Sequence, residues 1–329
     1  MKVLVIGGTR NLGHHLVHAL VDAGHRVTTF NRGETADELP DEVDRLHGDR
    51  ADPAHLARGV GERSFDACVD TIALRPGDTR AAIDALDGKV GHYVHISTGQ
   101  VYLVRAGCPV PAREEDYEGP LKEPPPGDSW EAPEYRYGVE KRACEDVLEE
   151  AWATRRFPAT RLRPAMIHGP RDHHHRLHGM VHRLLDDDPL VVPLERGPHL
   201  RHVHVEDVVD AILVSIEEGV GRGAAYNLAQ DDLWSHQELL DRMGEELGVE
   251  PDVVRLSREE LVEAGVFPGC APFTNPWMSV LDNGKAKSEL GFEPRGFDDY
   301  LPELVATFRE APPPEGFAEE RERERALVG

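Results

Sequence analysis

The sequence predicts an α/β fold whose core is a doubly wound parallel β-sheet. Short apolar runs alternate with segments of helical periodicity through residues 1–100, as expected for parallel strands joined by helices. The first apolar run, residues 3–6, stops at two glycines. A helical pattern with Leu12, Leu16 and Leu20 on one face then leads into a second apolar run. With 329 residues, 40% of them hydrophobic, the chain can form one large or two smaller cores.

The strand, glycine turn, helix and strand of residues 2–31 predict a dinucleotide site. Gly7 has no Cβ and allows a tight turn, and Gly13 lets the helix pack close to the sheet. Free amides at the start of the helix, together with its dipole, favour a pyrophosphate. An ordinary βαβ turn without a ligand is the alternative, and the position between two strands favours the dinucleotide. The predicted sheet is therefore of the Rossmann type.

The end of the second strand favours NADP over NAD as the cofactor. An NAD site commonly has an acidic residue here that binds the adenosine ribose, whereas this chain has Asn31 and Arg32. Arg10, inside the glycine turn, adds a second guanidinium near the extra phosphate of NADP. Alternatively, Arg10 and Arg32 are solvated surface charges. Further along, Asp49 is a candidate acceptor for the adenine amine, or belongs to the start of the helix near Pro53.

Bulk properties disfavour several classes of partner. The net charge of −24 opposes binding to nucleic acids or anionic membranes, although a local arginine cluster could still hold an anionic substrate. No apolar run reaches transmembrane length, and the first strand begins at residue 2 without a leader. The four cysteines form no CxxC pair. These features predict a cytoplasmic protein with free thiols.

The candidate chemistry follows the fifth predicted strand, at the carboxyl edge where such sheets bind ligands. Thr98 leaves this strand, and a long loop then leads to a helix with Tyr137 and Lys141. These two residues are four apart and share a helix face. A neighbouring ammonium and a cationic nicotinamide would lower the pKa of the tyrosine from about 10. Thr98 and Tyr137 could then deprotonate an alcohol as its hydride leaves.

Three other segments carry open alternatives. Residues 173–175 are adjacent histidines, which suggest either a zinc site or a loop on the substrate side; without convergent ligands we predict no metal. Residues 267–278, rich in proline and aromatic residues, either cap the substrate cleft or form a satellite core. The tail from residue 312, with its Glu-Arg repeats, is predicted to be a solvated helix or disordered.

Several motifs together resemble the extended short-chain dehydrogenase/reductases, the NAD(P)-dependent epimerase/dehydratase family. The matching motifs cover most of the chain: VIGGTRNLG (5–13), HISTGQVY (95–102), YGVEK (137–141), RLRPAMIHGPRD (161–172), HVHVEDVVDAI (202–212), AAYNLAQ (224–230) and LDNGKAKSELGFEP (281–294). The GGTR turn is similar to a subgroup that includes UDP-glucose-4-epimerase-like proteins and the chloroplast stem-loop RNA-binding proteins.

The resemblance implies residue roles, domains and assembly. Thr98 would be the catalytic hydroxyl, Tyr137 the acid/base, and Lys141 the ribose-binding activator. With these last two, the predicted cofactor-binding residues are Gly7, Thr9, Arg10, Asn11, Leu12, Gly13, Asn31, Arg32, Asp49, Arg50, Ala73, Pro164 and Ile167. The cofactor domain would comprise residues 1–165 and about 201–228, and the substrate domain about 166–200 and 229–311, before a charged tail of residues 312–329. Helices near 77–86 and 137–152 would form a homodimer.

Departures from the family pattern narrow the reaction. Dehydratases carry Asp-Glu after the catalytic threonine, but this chain has Gly99 and Gln100, which disfavours a dehydratase or a decarboxylase. The position that holds the pyrophosphate in nucleotide-sugar enzymes is Leu200, and Arg201 is one residue late. The favoured function is a sugar or nucleotide-sugar 4-epimerase; the alternatives are an NADPH-dependent reductase of a non-nucleotide ketone or a non-catalytic RNA-binding relative. The candidate substrate residues are Gln100, Arg171, His175, Arg176 and Arg201.

Overall fold

The strands and helices are those of a computed structural model that describes residues 1–36, 38–186 and 188–329. The strands are β1 (Lys2–Ile6), β2 (Arg26–Asn31), β3 (Asp44–His47), β4 (Ala67–Asp70), β5 (Tyr93–Ile96), β6 (Ala159–Pro164), β7 (Ile167–His168), β8 (Leu190–Pro193), β9 (Val203–His204), β10 (Ala225–Leu228) and β11 (Val253–Leu256).

The helices alternate with the strands along most of the chain. They are α1 (Asn11–Asp22), α2 (Pro53–Val60), α3 (Pro76–Leu86), α4 (Gln100–Leu103), α5 (Ala132–Arg155), α6 (Arg176–Leu185), α7 (Val205–Glu218), α8 (His236–Leu247), α9 (Arg258–Glu263), α10 (Gly284–Leu290), α11 (Phe297–Glu310) and α12 (Phe317–Arg325). In the described part of the chain, no helix combines the length and apolar character needed to cross a bilayer.

Seven parallel strands form the central sheet in the order β10-β6-β5-β4-β1-β2-β3. This arrangement confirms the predicted doubly wound sheet. Before β4 begins, Phe65 pairs only through an isolated bridge to Val90. The change of direction between β1 and β4 places the ends of these two strands beside the glycine turn.

Helices cover both faces of the sheet, and β1 illustrates why the strands are apolar throughout. Val3 and Val5 pack with α1 and α7 on one face, whereas Leu4 and Ile6 pack with α2, α3 and α5 on the other. Successive strand residues point to opposite faces, so a strand covered on both sides needs a continuous apolar run. All four side chains are fully buried.

A second core, here called the C-terminal core, lies outside the central sheet. It is formed by α6, α8 and α11 with the two-stranded sheet β8–β11. The segment 267–278 contributes four buried side chains to this core: Phe267, Cys270, Phe273 and Met278. Of the two predicted alternatives, a cap on the substrate cleft or a satellite core, the segment fits the second. The predicted domain boundaries stay a prediction.

The C-terminal tail differs from the expected solvated or disordered segment. Its α12 helix packs against α6, and Arg321 lies 2.7 Å from Asp186 while Arg183 lies 2.7 Å from Glu324. Arg321 and Glu324 are each 1% exposed. The alternating Glu and Arg residues give no sign of this burial in the sequence. Arg321 and Glu324 share the buried face because they are three residues apart on a helix.

His168 and His202 are buried next to the C-terminal core, with their ring centroids 4.3 Å apart. Both pack against Phe273, and none of their ring nitrogens has a hydrogen-bond partner among the described residues. Burial lowers the pKa of His202 to about 3. Protonation of this ring would therefore oppose folding.

We expect His202 to make the fold sensitive to acid. Because its pKa is lowered on folding, its contribution is complete above about pH 6.5 and is lost as the pH falls toward 3. In His202→Leu, the free energy of unfolding should fall by about 2 kcal/mol less between pH 7 and pH 5 than in the wild type. Urea titrations at both pH values measure this difference, and His199→Leu, at an exposed position, is the control. An unchanged pH dependence in His202→Leu would contradict it.

Candidate active site

The glycine turn has no room for side chains at its two ends. Gly7 has a φ of +110°, and a Cβ there would lie 2.3 Å from Thr71 Oγ1. A Cβ on Gly13 would lie 2.8 Å from the backbone nitrogen of Gly8. These contacts agree with the predicted reasons for both glycines: a tight turn and close packing of α1.

The start of α1 can hold the phosphates of a dinucleotide. Arg10 occupies the N-cap position without a side-chain cap, so the first helix amides and the dipole remain available for a ligand. Asn11 Oδ1 is buried and has no hydrogen-bond partner in the described ranges. Leu12 is buried below, whereas Thr9 is partly exposed. These residues fit the cofactor that the sequence predicts.

The predicted adenosine end contains two arginines with local partners. Arg32 lies 3.0 Å from Glu34, and both are largely exposed. Arg10 donates to Thr35 Oγ1 at 3.1 Å. Asn31 accepts a hydrogen bond from the Gly33 amide at 2.9 Å and thereby shapes the turn after β2. The preference for NADP over NAD stays a prediction, because Glu34 balances the Arg32 charge.

Asp49 and Arg50 have different environments. Asp49 is exposed and accepts from the Ala51 amide at 2.9 Å, as a residue near a helix start does. Arg50 is 8% exposed, and its Nη2 lies 2.6 Å from Asp70 Oδ2. Arg50 was predicted to contact the cofactor, but in this structure its guanidinium reaches a buried carboxylate instead of the open cleft.

Asp70 connects this ion pair to the loop after β4. Its Oδ1 accepts from the amides of Ile72 and Ala73 at 3.2 and 3.0 Å, and the Tyr93 hydroxyl donates to Oδ2 at 2.6 Å. The Ala73 carbonyl in turn accepts from Lys141 Nζ at 2.8 Å. Arg50 and Asp70 thus lie behind the loop that holds the predicted catalytic lysine.

Thr98, Tyr137 and Lys141 come together at the carboxyl end of β5. The Thr98 and Tyr137 side chains are near neighbours, since Thr98 lowers the pKa of Tyr137, and both residues are partly exposed. Lys141 is buried, and its Nζ donates to the carbonyls of Ala73 and Ile96 at 2.8 and 2.5 Å. Gly138 lets α5 approach the segment after β5 closely, because a Cβ at this position would lie 2.9 Å from the Gln100 carbonyl oxygen.

The electrostatics of the pair differ from the expected activation of the tyrosine. Burial raises the pKa of Tyr137, and the neighbouring Thr98 hydroxyl opposes that rise. Burial lowers the pKa of Lys141 to about 8. The Lys141 ammonium is oriented toward two carbonyls, so in the chain without ligands it does not supply the predicted activation. A bound cofactor would change the charge beside both groups.

Pro164 and Ile167, predicted to flank the nicotinamide, lie at the end of β6 and the start of β7. The Pro164 carbonyl accepts from the Gly99 amide at 2.8 Å, which fixes the loop after Thr98. Ile167 is partly buried against the core under α1 and α7. Pro164 therefore lies at the same edge of the central sheet as Thr98, because β6 pairs with β5. Ile167 belongs to β7, which pairs with β9 in a separate two-stranded sheet.

The candidate substrate residues divide into three groups. Arg171 and His175 line a cavity of about 420 Å³ together with Thr9 and Arg10, on the side of the glycine turn. Arg176 acts on the pKa of Tyr137, which it lowers. Gln100 lies two residues after Thr98 at the start of α4. Only the second and third groups accompany the predicted catalytic residues.

Arg201, the fifth candidate substrate residue, contacts the protein backbone, and its role toward a substrate stays a prediction. Its Nη1 and Nη2 donate to the carbonyls of Leu281 and Asp231 at 3.0 and 3.1 Å. The guanidinium therefore anchors two segments of the backbone. Leu200, at the position expected to hold a pyrophosphate, is 1% exposed and offers no charge.

Sequence reasoning missed one residue near Tyr137. The carboxylate of Glu134 accepts a hydrogen bond from Gln100 Nε2, and it raises the pKa of Tyr137. Its position three residues before Tyr137 on a helix was a usable signal. Within the ranges that the structure describes, no three His, Cys, Asp or Glu side chains are arranged to hold an ion.

Comparison with known proteins identifies related sequences and folds. The sequence model of the NAD dependent epimerase/dehydratase family matches residues 3–229. The chloroplast stem-loop binding protein of 41 kDa b of Arabidopsis thaliana is 27% identical over 274 residues, which are 79% of this chain and 67% of that protein. The 2'-dehydrokanamycin reductase of Streptomyces kanamyceticus is 25% identical over 295 residues, 86% and 77% of the two chains.

Solved structures share the fold over nearly the whole chain. A UDP-glucose 4-epimerase from Thermotoga maritima, bound to UDP-glucose, superposes with a TM-score of 0.76 at 20% identity, covering 94% of this chain and 99% of that one. A dTDP-glucose 4,6-dehydratase from Bacillus anthracis, bound to NAD, gives 0.75 at 19% identity, covering 94% and 97%. At these identities the similarity shows a shared fold and nothing beyond it.

The buried pair Arg50–Asp70 should be essential for stability. Asp70→Asn leaves the Arg50 charge buried without its counter-ion, so we expect the free energy of unfolding to fall by about 3–5 kcal/mol. Tyr93→Phe removes only one hydrogen bond to Asp70 and should cost about 1 kcal/mol. Urea unfolding of the protein without cofactor measures both. Arg50→Met in the Asp70→Asn background should recover part of the loss; equal effects of Asp70→Asn and Tyr93→Phe would contradict the assignment.

Proposed function

We propose, because the chain belongs to the NAD-dependent epimerase/dehydratase family, that it transfers hydride between NAD(P) and a secondary alcohol or ketone through Thr98, Tyr137 and Lys141. The proximity of Thr98 to Tyr137, with Lys141 on the same helix face, is the observation that supports this proposal. The glycine turn and the site share the carboxyl edge of the sheet, where open α/β sheets bind ligands.

Each of the three side chains has a distinct role in the proposal. Thr98 holds the substrate oxygen and orients it toward Tyr137, and the phenol exchanges a proton with that oxygen. Lys141, fixed by two carbonyls, provides positive charge below its pKa of about 8 and a donor for the cofactor ribose. The nicotinamide supplies or accepts the hydride when the cofactor is bound.

Two observations favour net reduction of a non-nucleotide ketone over the sugar or nucleotide-sugar 4-epimerase that the sequence favoured. Leu200 is buried where a pyrophosphate-binding arginine was expected, and Arg201 is engaged with two carbonyls. A relative of similar length is named as a reductase. Epimerisation remains the second candidate, because the fold is shared with a UDP-glucose 4-epimerase.

A role as a non-catalytic RNA-binding protein is the third possibility considered. It is suggested by the relative that is named for stem-loop binding. The complete set of Thr98, Tyr137 and Lys141 argues against loss of catalysis, and the net charge of −24 argues against phosphate backbones. Tight binding of RNA that weakens with salt would reverse this ranking. Homodimer formation through α3 and α5 stays a prediction.

Replacing Tyr137 with phenylalanine should abolish most of the turnover. Loss of the proton donor is expected to lower kcat by about 100-fold or more while cofactor affinity stays within a few-fold. Reduction of a panel of cyclic ketones with NADH and NADPH gives kcat, and fluorescence titration gives the cofactor Kd. Tyr226→Phe, which removes a hydroxyl bonded to Glu289, is the matched control. An active Tyr137→Phe would refute the mechanism.

Cofactor stoichiometry should separate the reductase from the epimerase. A reductase consumes one NAD(P)H for each alcohol formed, whereas an epimerase regenerates its cofactor and shows no net consumption. We expect equal amounts of product and oxidised cofactor. Turnover of a nucleotide sugar with only catalytic cofactor would instead support epimerisation.

The two arginines near the predicted adenosine ribose should set the cofactor preference. Arg32→Ala and Arg10→Ala should each weaken NADP binding by roughly tenfold, since a charge-assisted hydrogen bond contributes about 1.5–3 kcal/mol, and should leave NAD binding nearly unchanged. Arg26→Ala, at an exposed position at the start of β2, is the control. Parallel losses for NADP and NAD would contradict the preference.

A further inference from the structure

A second side-chain pair lies beside the one formed by Thr98 and Tyr137. Gln100 Nε2 donates to Glu134 Oε2. Gln100 is two residues after Thr98, and Glu134 is three residues before Tyr137 on the same helix, so the two helical side chains share one face. The hydrogen bond between Gln100 and Glu134 thus joins the segment after β5 to the start of α5 beside the proposed site of reaction.

Among the residues that the structure describes, the Glu134 carboxylate has no cationic partner. Its described contact is with the neutral amide of Gln100, and in the ranges that the structure covers no lysine, arginine or histidine lies within ion-pair distance of it. The other charged group that acts on Tyr137, Arg176, already lies 3.3 Å from Asp172. The charge of Glu134 does reach Tyr137, because it raises the pKa of the phenol.

The remaining surroundings disfavour an anionic substrate. Leu200 supplies no charge for a diphosphate, and Arg201 is held by backbone carbonyls. The chain carries a net charge of −24, and such a field repels anions and attracts cations at long range. Glu134 is partly exposed, so a ligand in contact with Tyr137 can reach it.

We propose that Glu134, oriented by Gln100, binds an ammonium group of the substrate, so that the substrate class is an amino-substituted cyclic alcohol or ketone. The proposal rests on the proposed function, since it places the reacting carbinol at Thr98 and Tyr137. Gln100 acts as a positioning residue: its amide holds one carboxylate oxygen and leaves the other for the ligand. An ammonium bound there replaces hydration lost by the carboxylate with a charge-assisted hydrogen bond.

Two probes of equal shape separate charge from size. In trans-4-aminocyclohexanol an ammonium stands where trans-4-methylcyclohexanol has a methyl group. With the cofactor-loaded wild type, calorimetry should give a Kd at least about tenfold lower for the amino alcohol than for the methyl alcohol. The kcat/KM for oxidation should likewise be higher for the amino alcohol than for the methyl alcohol. Equal Kd values, or no binding of either probe, would overturn the proposal.

Variants test whether Glu134 is the source of the preference for the amino alcohol. Glu134→Gln should abolish this preference, and Gln100→Leu, which removes the amide that orients the Glu134 carboxylate, should weaken it several-fold. Glu150→Gln makes the same charge change at an exposed position of α5, about 24 Å along the helix, and should leave the preference intact. Thermal unfolding checks that each variant is folded. A preference that persists in Glu134→Gln, or that keeps its wild-type value in Gln100→Leu, would overturn the assignment.

The same measurements distinguish failure of this inference from failure of the proposed function. Tyr137→Phe should keep the preference in Kd while losing turnover. If the wild type binds the amino alcohol selectively but oxidises neither probe, the hydride-transfer proposal fails and the ammonium site stands. If both probes are oxidised with equal kcat/KM and bound with equal Kd, the ammonium site fails and the hydride-transfer proposal stands.

Discussion

The Lys141 ammonium lies between the carbonyls of Ala73 and Ile96, and this contact joins the three segments on which the site depends. Ala73 belongs to the loop after β4, Ile96 ends β5, and Lys141 comes from α5. A buried ammonium requires such acceptors, because desolvation disfavours its charge. The contact therefore fixes the helix that carries Tyr137 against the strand that leads to Thr98.

A second layer of charges supports this arrangement from behind. Arg50 pairs with Asp70, whose other oxygen accepts from the amide of Ala73. A change at Arg50 would reach Lys141 through three successive contacts, from Arg50 to Asp70, to Ala73 and to Lys141, without touching a ligand. Buried ion pairs are costly to assemble but also costly to break, so this one restricts which residues position 50 tolerates.

The sequence predicts local features well and distant contacts poorly. The glycine turn and the spacing of Tyr137 and Lys141 are visible in the sequence because they follow from turn geometry and helix periodicity. The contact between Gln100 and Glu134 joins residues 34 apart, and Arg201 binds carbonyls of Leu281 and Asp231. No short-range pattern encodes such pairs, because the path of the intervening chain sets them.

The α12 helix has a consequence for the order in which the protein folds. Arg183 of α6 is buried against Glu324, 141 residues later in the chain, and Asp186 is paired with Arg321. During synthesis α6 emerges long before its partners, while the central sheet needs nothing beyond β10. The C-terminal core therefore cannot be completed until residue 324 has left the ribosome. Until then the charge of Arg183 on α6 is unpaired, and the incomplete core is the part of the chain most exposed to aggregation.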